Sequence, residues 1–337
     1  MLNGVIDKSS PTDKIIGSFQ LRILSSVAIK HPQYPNDWQL PSAIQSLPSP
    51  DRASRVSLSI KRDDTIHPFI SGNKARKLYS LIQRWQVSPP QQVVTMGGNR
   101  SNYLHALGYL CYQKSIPLLA LVRGHEPEHY HSTLSDLKRW QVKLTFVDKL
   151  TFRQCRENFE NARSLVYEKG LLSEAESSIE WLPEGGSNVE ALNGIMLAVD
   201  ELTQIPDVIF VPAGTGCTAL GIAVAIDKKG WHTQVIAVVV LKGAESISQS
   251  LGKLAKQANT PWPKSLTLEH RFCDKGFAKI TPEIEKQKAY YEQLWSLPLE
   301  PVYSVKMLNA VKAYCDSGML DNKQILLWHT GGLQGDT

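Results

Sequence analysis

The stretch HPFISGNKARKL, beginning at His67, places Lys74, Arg76 and Lys77 within four positions. Ser-Gly-Asn ahead of them is a combination that opens helices, and a helix N-terminus disfavours cations. These charges either extend into water or meet something anionic. Lys74 is a candidate Schiff-base lysine, an amine that bonds to a carbonyl carbon and activates it. Lys77, one turn on, shares its helical face and could reach an anionic group on the same carbonyl compound. A pair of solvated lysines is the plainer reading, and these residues alone do not decide between the two.

Three glycine-rich stretches carry hydroxyl groups: MGGNRSN from Met96, PAGTGCTALG from Pro212 and HTGGLQG from His329. In the second, Gly214 and Gly216 permit a sharp turn with exposed N–H groups. Thr215 and Thr218 add hydroxyls at the start of a helix, which makes a cradle for a phosphate. A plain turn with glycines for tight packing fits that stretch equally well. It ends in no Gly-Lys-Ser/Thr and is no full G-x-G-x-x-G, so a nucleotide-binding loop is disfavoured. Ser101 and Asn102, and EGGSN from Glu184, read by themselves as helix caps. HEPEHYH, from His125, lacks acid or thiol partners at a metal-binding spacing and reads as a solvated loop. Gly318, after CDS, reads as a helix C-cap.

Each of these stretches needs an element to position it. Short apolar runs (VVTM, PLLALV, KLTFV, VIFVPAG, QVIAVVVL and QILLWH) alternate with helical patterns. Fully apolar strands alternating with helices predict an α/β fold with parallel-rich sheets covered on both faces. Ligands of such open sheets sit at the C-terminal ends of strands, where the three glycine-rich loops fall. TFRQCRENFENARSLVYEKG reads as one helical stretch, and the first fifty residues as a loose lead.

The chain has 337 residues, 42% of them hydrophobic, and a net charge of +5 with no basic run. This is an ordinary globular composition without a nucleic-acid footprint. Five widely spaced cysteines argue against a disulfide framework or structural zinc and fit a reducing compartment. No apolar stretch is long enough to span a membrane and no signal peptide is evident, so the cytoplasm is the expected location.

Together, SGNKARKL, GGNRSN, PEGGSN, PAGTGCTALG and EPVYSVKML followed by HTGG resemble one family in order and kind. It comprises the pyridoxal-phosphate enzymes grouped as 1-aminocyclopropane-1-carboxylate (ACC) deaminase and D-cysteine desulfhydrase. The resemblance runs from about residue 61 to the C-terminal HTGGLQG. It implies a tryptophan synthase β-like (fold type II) architecture of two open parallel-rich sheets covered by helices. Residues 1–79 with 190–337 would form the large cofactor-binding domain, residues 80–189 the small one, and two chains a homodimer.

The resemblance also assigns roles. Lys74 would hold pyridoxal 5′-phosphate as a Schiff base. Lys77, Gly214, Thr215, Gly216, Cys217 and Thr218 would hold its phosphate, and Asn102 would bond its 3′-oxygen. Ser101 would act on the substrate's proton or carboxylate, and Tyr303 would stand at the reacting carbon. Ser304 or Thr330 would face the pyridine nitrogen.

Two departures bear on substrate. Relatives that deaminate ACC carry an acid directly after the tyrosine, where this chain has Ser304. A second family tyrosine aligns with Phe277. Both favour β-elimination from a small D-amino acid such as D-cysteine, giving pyruvate, sulfide and ammonia. The alternatives are ACC deamination to 2-oxobutyrate and ammonia, another reaction on the same scaffold (a racemase, a threonine-type dehydratase or a synthase), and a cofactor-binding protein of low activity.

Overall fold

Along QILLWH, Ile325 and Leu327 enter one hydrophobic core while Leu326 and Trp328 enter another. A strand that is apolar at every position is buried on both faces, so helices must cover each side of its sheet. The computed structural model describes residues 35–49, 55–172, 178–243, 246–276 and 279–335. Most of the predicted lead, to residue 34, lies outside the described residues, and so does Phe277.

The strands are β1 (Ile44–Leu47), β2 (Ser57–Arg62), β3 (Gln92–Gly98), β4 (Leu118–Arg123), β5 (Lys143–Val147), β6 (Ile179–Leu182), β7 (Val208–Ala213), β8 (Gln234–Val239), β9 (Leu266–Glu269) and β10 (Gln324–His329). The helices are α1 (Asn73–Val87), α2 (Asn102–Gln113), α3 (Ser132–Arg139), α4 (Lys149–Glu157), α5 (Phe159–Glu168), α6 (Val189–Leu197), α7 (Cys217–Lys228), α8 (Ile247–Gln257), α9 (Pro282–Trp295) and α10 (Ser304–Asp316). Six strands form one sheet in the order β1-β2-β10-β7-β8-β9, and four form a second in the order β5-β4-β3-β6. Among the described residues, only the β1–β2 pairing is antiparallel. The two parallel-rich sheets are those the apolar runs predict.

One core of the larger sheet joins β7, β8 and β10 to α6, α7 and α8. The core on its other face contains residues of α9 and α10. The smaller sheet packs Val94, Met96, Leu119 and Leu121 against Phe152, Cys155, Ala162 and Val166 of α4 and α5.

Local chemistry changes two expectations. The predicted single helix after KLTFV breaks at Asn158, whose extended backbone ends α4 and whose side chain accepts from Glu160 N to start α5. Competition of Asn with the helical backbone accounts for the break. The predicted loose lead contains β1, which forms the sheet edge by pairing with β2. Gly318 ends α10 at φ 72°, as the sequence predicts.

A candidate active site where α1 meets three strand-to-helix loops

Gly72 fixes where α1 begins. Its φ of 67° suits glycine, and a Cβ there would fall 1.9 Å from the Thr330 carbonyl oxygen. The turn before α1 is therefore in direct contact with the loop after β10. Asn73 N donates to the Thr330 carbonyl at 3.2 Å, and Lys74 Nζ donates to the same oxygen at 3.3 Å. Asn73 Nδ2 donates to Thr218 Oγ1 at 2.7 Å, which joins the start of α1 to the start of α7.

The three cations of the opening stretch have separate environments. Arg76, 2% exposed, donates to Asp63 at 2.8 Å and to Glu201, making a buried ion cluster behind the site. Lys61 joins that cluster through Glu201 at 2.6 Å, and Trp328 Nε1 donates to Asp63 at 2.8 Å. Lys77, 7% exposed, donates to the Gly185 carbonyl at 2.7 Å. Neither Lys74 nor Lys77 pairs with a carboxylate within 4 Å among the described residues. A buried ammonium without a counter-ion is costly. An anion brought to these two lysines would relieve that cost, which answers the question their spacing raises.

Burial, then the neighbouring Lys77 charge, lowers the Lys74 pKa to about 7, with Glu300 opposing. Burial also lowers Lys77. A lysine titrating near 7 presents much free amine at neutral pH, whereas an ordinary lysine presents almost none. Capture of an aldehyde by the cofactor-free chain should therefore rise in rate through about pH 7 and level off above it. Stopped-flow absorbance against pH checks this. A rate still climbing through about pH 10, as for an exposed lysine, would contradict it.

The loop between β7 and α7 carries Gly214, Thr215 and Gly216. Gly216, in the left-handed region at φ 78°, is the N-cap of α7 and supplies no side chain to its first amides. Those amides point outward from a twelve-residue helix, so the loop can accept a phosphate. The Lys77 charge acts on Cys217 in the same turn, while burial keeps that thiol's pKa raised. Ser187 Oγ donates to Thr215 Oγ1 at 2.7 Å, bringing the EGGSN stretch to this loop. Asn188 caps α6 as its sequence suggests, but Gly185 and Ser187 belong to the site.

Ser101 is the N-cap of α2, its Oγ accepting from Leu104 N at 3.2 Å, and its hydroxyl proton is left for another partner. Gly332 keeps a gap open between Asn102 and Glu300. A Cβ there would stand 3.0 Å from Asn102 Nδ2 and 3.4 Å from Glu300 Cγ. Gly214 admits the Tyr303 ring, whose Cε1 and Oη would lie 3.2 Å from a Cβ at that position. Burial, with the charges of Glu300 and Glu184, keeps Tyr303 a protonated phenol. Thr330 and Ser304 are both buried.

The site residues expected from sequence thus gather along the C-terminal ends of β3, β7 and β10, the start of α1 and the start of α10. Asn73, Gly185, Ser187 and Glu300 join them. Glu300 stood in the quoted EPVYSVKML; its spacing three and four residues before Tyr303 and Ser304 was the available signal. The HEPEHYH stretch leaves His125 and His129 exposed. No cluster of metal-binding side chains occurs among the described residues.

A group with a carbonyl, a phosphate and polar ring atoms fits this arrangement. Buried Asn73 Oδ1, Asn102 Oδ1 and Ser304 Oγ have no hydrogen-bond partner among the described residues. Native structures rarely leave such groups unsatisfied, and these three stand at the starts of α1, α2 and α10.

Comparison with known proteins agrees. Residues 37–331 match the family described as pyridoxal-phosphate dependent enzyme. The chain is 26% identical over 309 residues to a Pyrococcus furiosus protein with the provisional name 1-aminocyclopropane-1-carboxylate deaminase, covering 88% of this chain and 91% of that one. It is 26% identical over 315 residues to D-cysteine desulfhydrase of Klebsiella pneumoniae (strain 342), covering 87% and 92% respectively. A crystal structure of an ACC deaminase homologue shares the fold with a TM-score of 0.77 at 24% identity, covering 91% of this chain and 93% of that one. Spanning most of its length, the match places this chain in the pyridoxal-phosphate dependent enzyme family.

Proposed function

We propose that this enzyme eliminates the β-substituent of a small D-amino acid such as D-cysteine, releasing pyruvate, sulfide and ammonia. The observation that carries the reading is geometric: Lys74 Nζ lies 3.3 Å from the Thr330 carbonyl and the Tyr303 ring packs on Gly214, both on the strand-to-helix loops of one site, with burial lowering the lysine's pKa and raising the phenol's. β-Elimination needs both a base for the Cα proton and an acid for the departing sulfur. ACC has no Cα proton, so there a nucleophile or base would instead have to attack the cyclopropane ring. The D-configuration is taken from the Klebsiella relative's name.

Pyridoxal phosphate, when bound, supplies the electron withdrawal that makes the Cα proton acidic. Lys77 and the α7 amides would hold its phosphate, and Asn102 would orient its ring. Lys74 would hold the group's carbonyl carbon and, once freed by substrate, its Nζ would take the Cα proton. Ser101 donates its free hydroxyl proton to the substrate carboxylate. Tyr303 Oη gives its proton to the leaving sulfur as the Cβ–S bond breaks, and water completes the release of ammonia. A homodimer, the expected division into large and small domains, and a cytoplasmic setting belong to the same reading. Among the described residues, no helix is long and apolar enough to cross a membrane.

The test is keto-acid release from the purified protein with D-cysteine, L-cysteine and ACC in parallel, with the visible spectrum recorded alongside. Pyruvate and sulfide from D-cysteine are expected. 2-Oxobutyrate from ACC without pyruvate from D-cysteine would replace the reading with ACC deamination. A cofactor spectrum with no keto acid would leave a racemase or a binding protein.

A further inference from the structure

The sequence of α4, KLTFRQCRE, sorts its side chains into two groups. Phe152 and Cys155 enter the core under the smaller sheet. Lys149, Arg153 and Arg156, at positions i, i+4 and i+7, share one exposed face. Like charges at that spacing weaken a helix. A fourth cation reaches them from another element. Arg123 ends β4, and its guanidinium stands 5.9 Å from the centre of the Phe152 ring. Arg123, Lys149, Phe152, Arg153 and Arg156 together line a cavity of about 360 Å³. That volume is near the lower end for small-molecule sites.

No acid lines this cavity among the described residues. Two carboxylates stand near it: Glu157, 3.7 Å from Arg153, and Glu184, 3.9 Å from Arg156. Asp148 turns its carboxylate to Leu150 N, Thr151 N and Thr151 Oγ1 as the cap of α4. Arg123 and Lys149 pair with no carboxylate within 4 Å among the described residues. Four cations against two carboxylates leave an excess of two positive charges around the cavity. A stripe on one helix would be an ordinary solvated face. Convergence of Arg123 upon it, around a cavity, is what makes a site.

The cavity lies where ligands of parallel sheets sit, since Arg123 ends β4 and α4 starts directly beyond β5. Arg123 also borders the loop that carries Ser101. A Cβ on Gly98 would lie 3.7 Å from Arg123 Nη2, and Ser101 N donates to the Gly98 carbonyl at 3.0 Å. Glu184 is a second link. Burial raises its carboxyl pKa, with Arg156 and Arg123 opposing, and its charge acts on Tyr303. None of the residues expected to hold the cofactor lines this cavity.

We propose that this cavity is a second anion site, which takes a small compound bearing a phosphate or diphosphate group. Three guanidinium forks match phosphate oxygens in pairs, and the lysine adds a point charge. A single negative charge would leave the walls in excess, whereas two or more would match them. The phosphate can belong to a free compound or to the far end of a substrate, because the loop carrying Ser101 borders both places. The inference does not depend on the amino acid assigned above.

The test is calorimetric titration of the cofactor-loaded chain with inorganic diphosphate, the cofactor's own phosphate place being already filled. One diphosphate per chain is expected. Arg123→Gln and Arg156→Gln should each weaken binding roughly tenfold or more, the loss of one charge-assisted hydrogen bond. Lys312→Gln, in an exposed pair on α10, should leave it unchanged. Arg156 is half exposed, so Arg156→Gln carries the test should Arg123→Gln fold poorly. Absence of saturable binding at millimolar diphosphate overturns the inference. So does equal affinity of the wild type and Arg156→Gln, or equal weakening by Lys312→Gln. Steady-state assays with diphosphate, on whichever amino acid yields keto acid, tell the two sources apart. A raised KM at unchanged kcat assigns the cavity to an acidic group of the substrate. Any other kinetics assign it to a free phosphate compound. The titration needs no turnover, so its failure and that of the proposed reaction are separate results.

Discussion

Replacing Lys74 with alanine should abolish the visible cofactor band and reduce turnover by roughly 100- to 10,000-fold, the range for loss of a positioned proton-transfer group. The expectation follows from the two purposes proposed for Lys74: its amine would bond the carbonyl, and burial, which lowers its pKa to about 7, would let it accept a proton. Phosphate binding should persist in part, because Lys77 and the α7 amides are untouched. Lys74→Ala should therefore bind cofactor more weakly yet still saturate, in a titration followed by tryptophan fluorescence. A variant that keeps both the visible band and the turnover would remove Lys74 from the chemistry.

The Arg76→Met variant should lose about 3–5 kcal/mol of stability, the cost of stranding one partner of a buried ion pair. Arg76 is bonded to Asp63 and Glu201, and through them to Ser42, Lys61 and Trp328. Without it, Glu201 keeps Lys61, but Asp63 keeps only neutral donors. Burial works to raise the Asp63 pKa, yet Arg76 and Lys61 hold it below the usual carboxylate value. Asp63 in the wild type therefore contributes stability that is present above its unfolded pKa and lost as pH falls through its folded one. In the variant that contribution shrinks, because of the two charges only Lys61 remains. The difference between the two proteins should be greatest near neutrality and shrink towards about pH 4, the range of an unperturbed carboxyl. Urea denaturation at several pH values measures it. A neutral-pH loss of less than about 1 kcal/mol, the scale of a surface pair, would show that the cluster adds little.

That cluster shows where sequence reading reached its limit. Three cations in SGNKARKL raised a question of charge that the sequence posed but did not resolve. Arg76 finds Asp63 and Glu201, 13 and 125 positions away, so no local pattern could pair them. Lys74 and Lys77 are distinguished from it only by the acceptors that folding brings: the carbonyls of Thr330 and Gly185.

The strands QILLWH and VIFVPAG were legible because burial on both faces leaves an uninterrupted apolar run. β1 was not, because an edge strand with three of its four residues exposed carries no such run. The glycine-rich loops were legible as turns. Their convergence rests on contacts such as Gly72 against Thr330 and Gly214 against Tyr303, which join residues more than eighty positions apart. Glu300 was quoted within a motif and passed over, since a cap looks ordinary until its burial beside Lys74 is visible.

The most direct test of the account is to reduce the cofactor-loaded protein with borohydride and map the modified peptide by mass spectrometry. The account predicts a pyridoxyl phosphate group on Lys74, on the peptide containing SGNKARKL, and on no other lysine. The group on Lys77 or on a lysine elsewhere in the chain, with Lys74 unmodified, would contradict it.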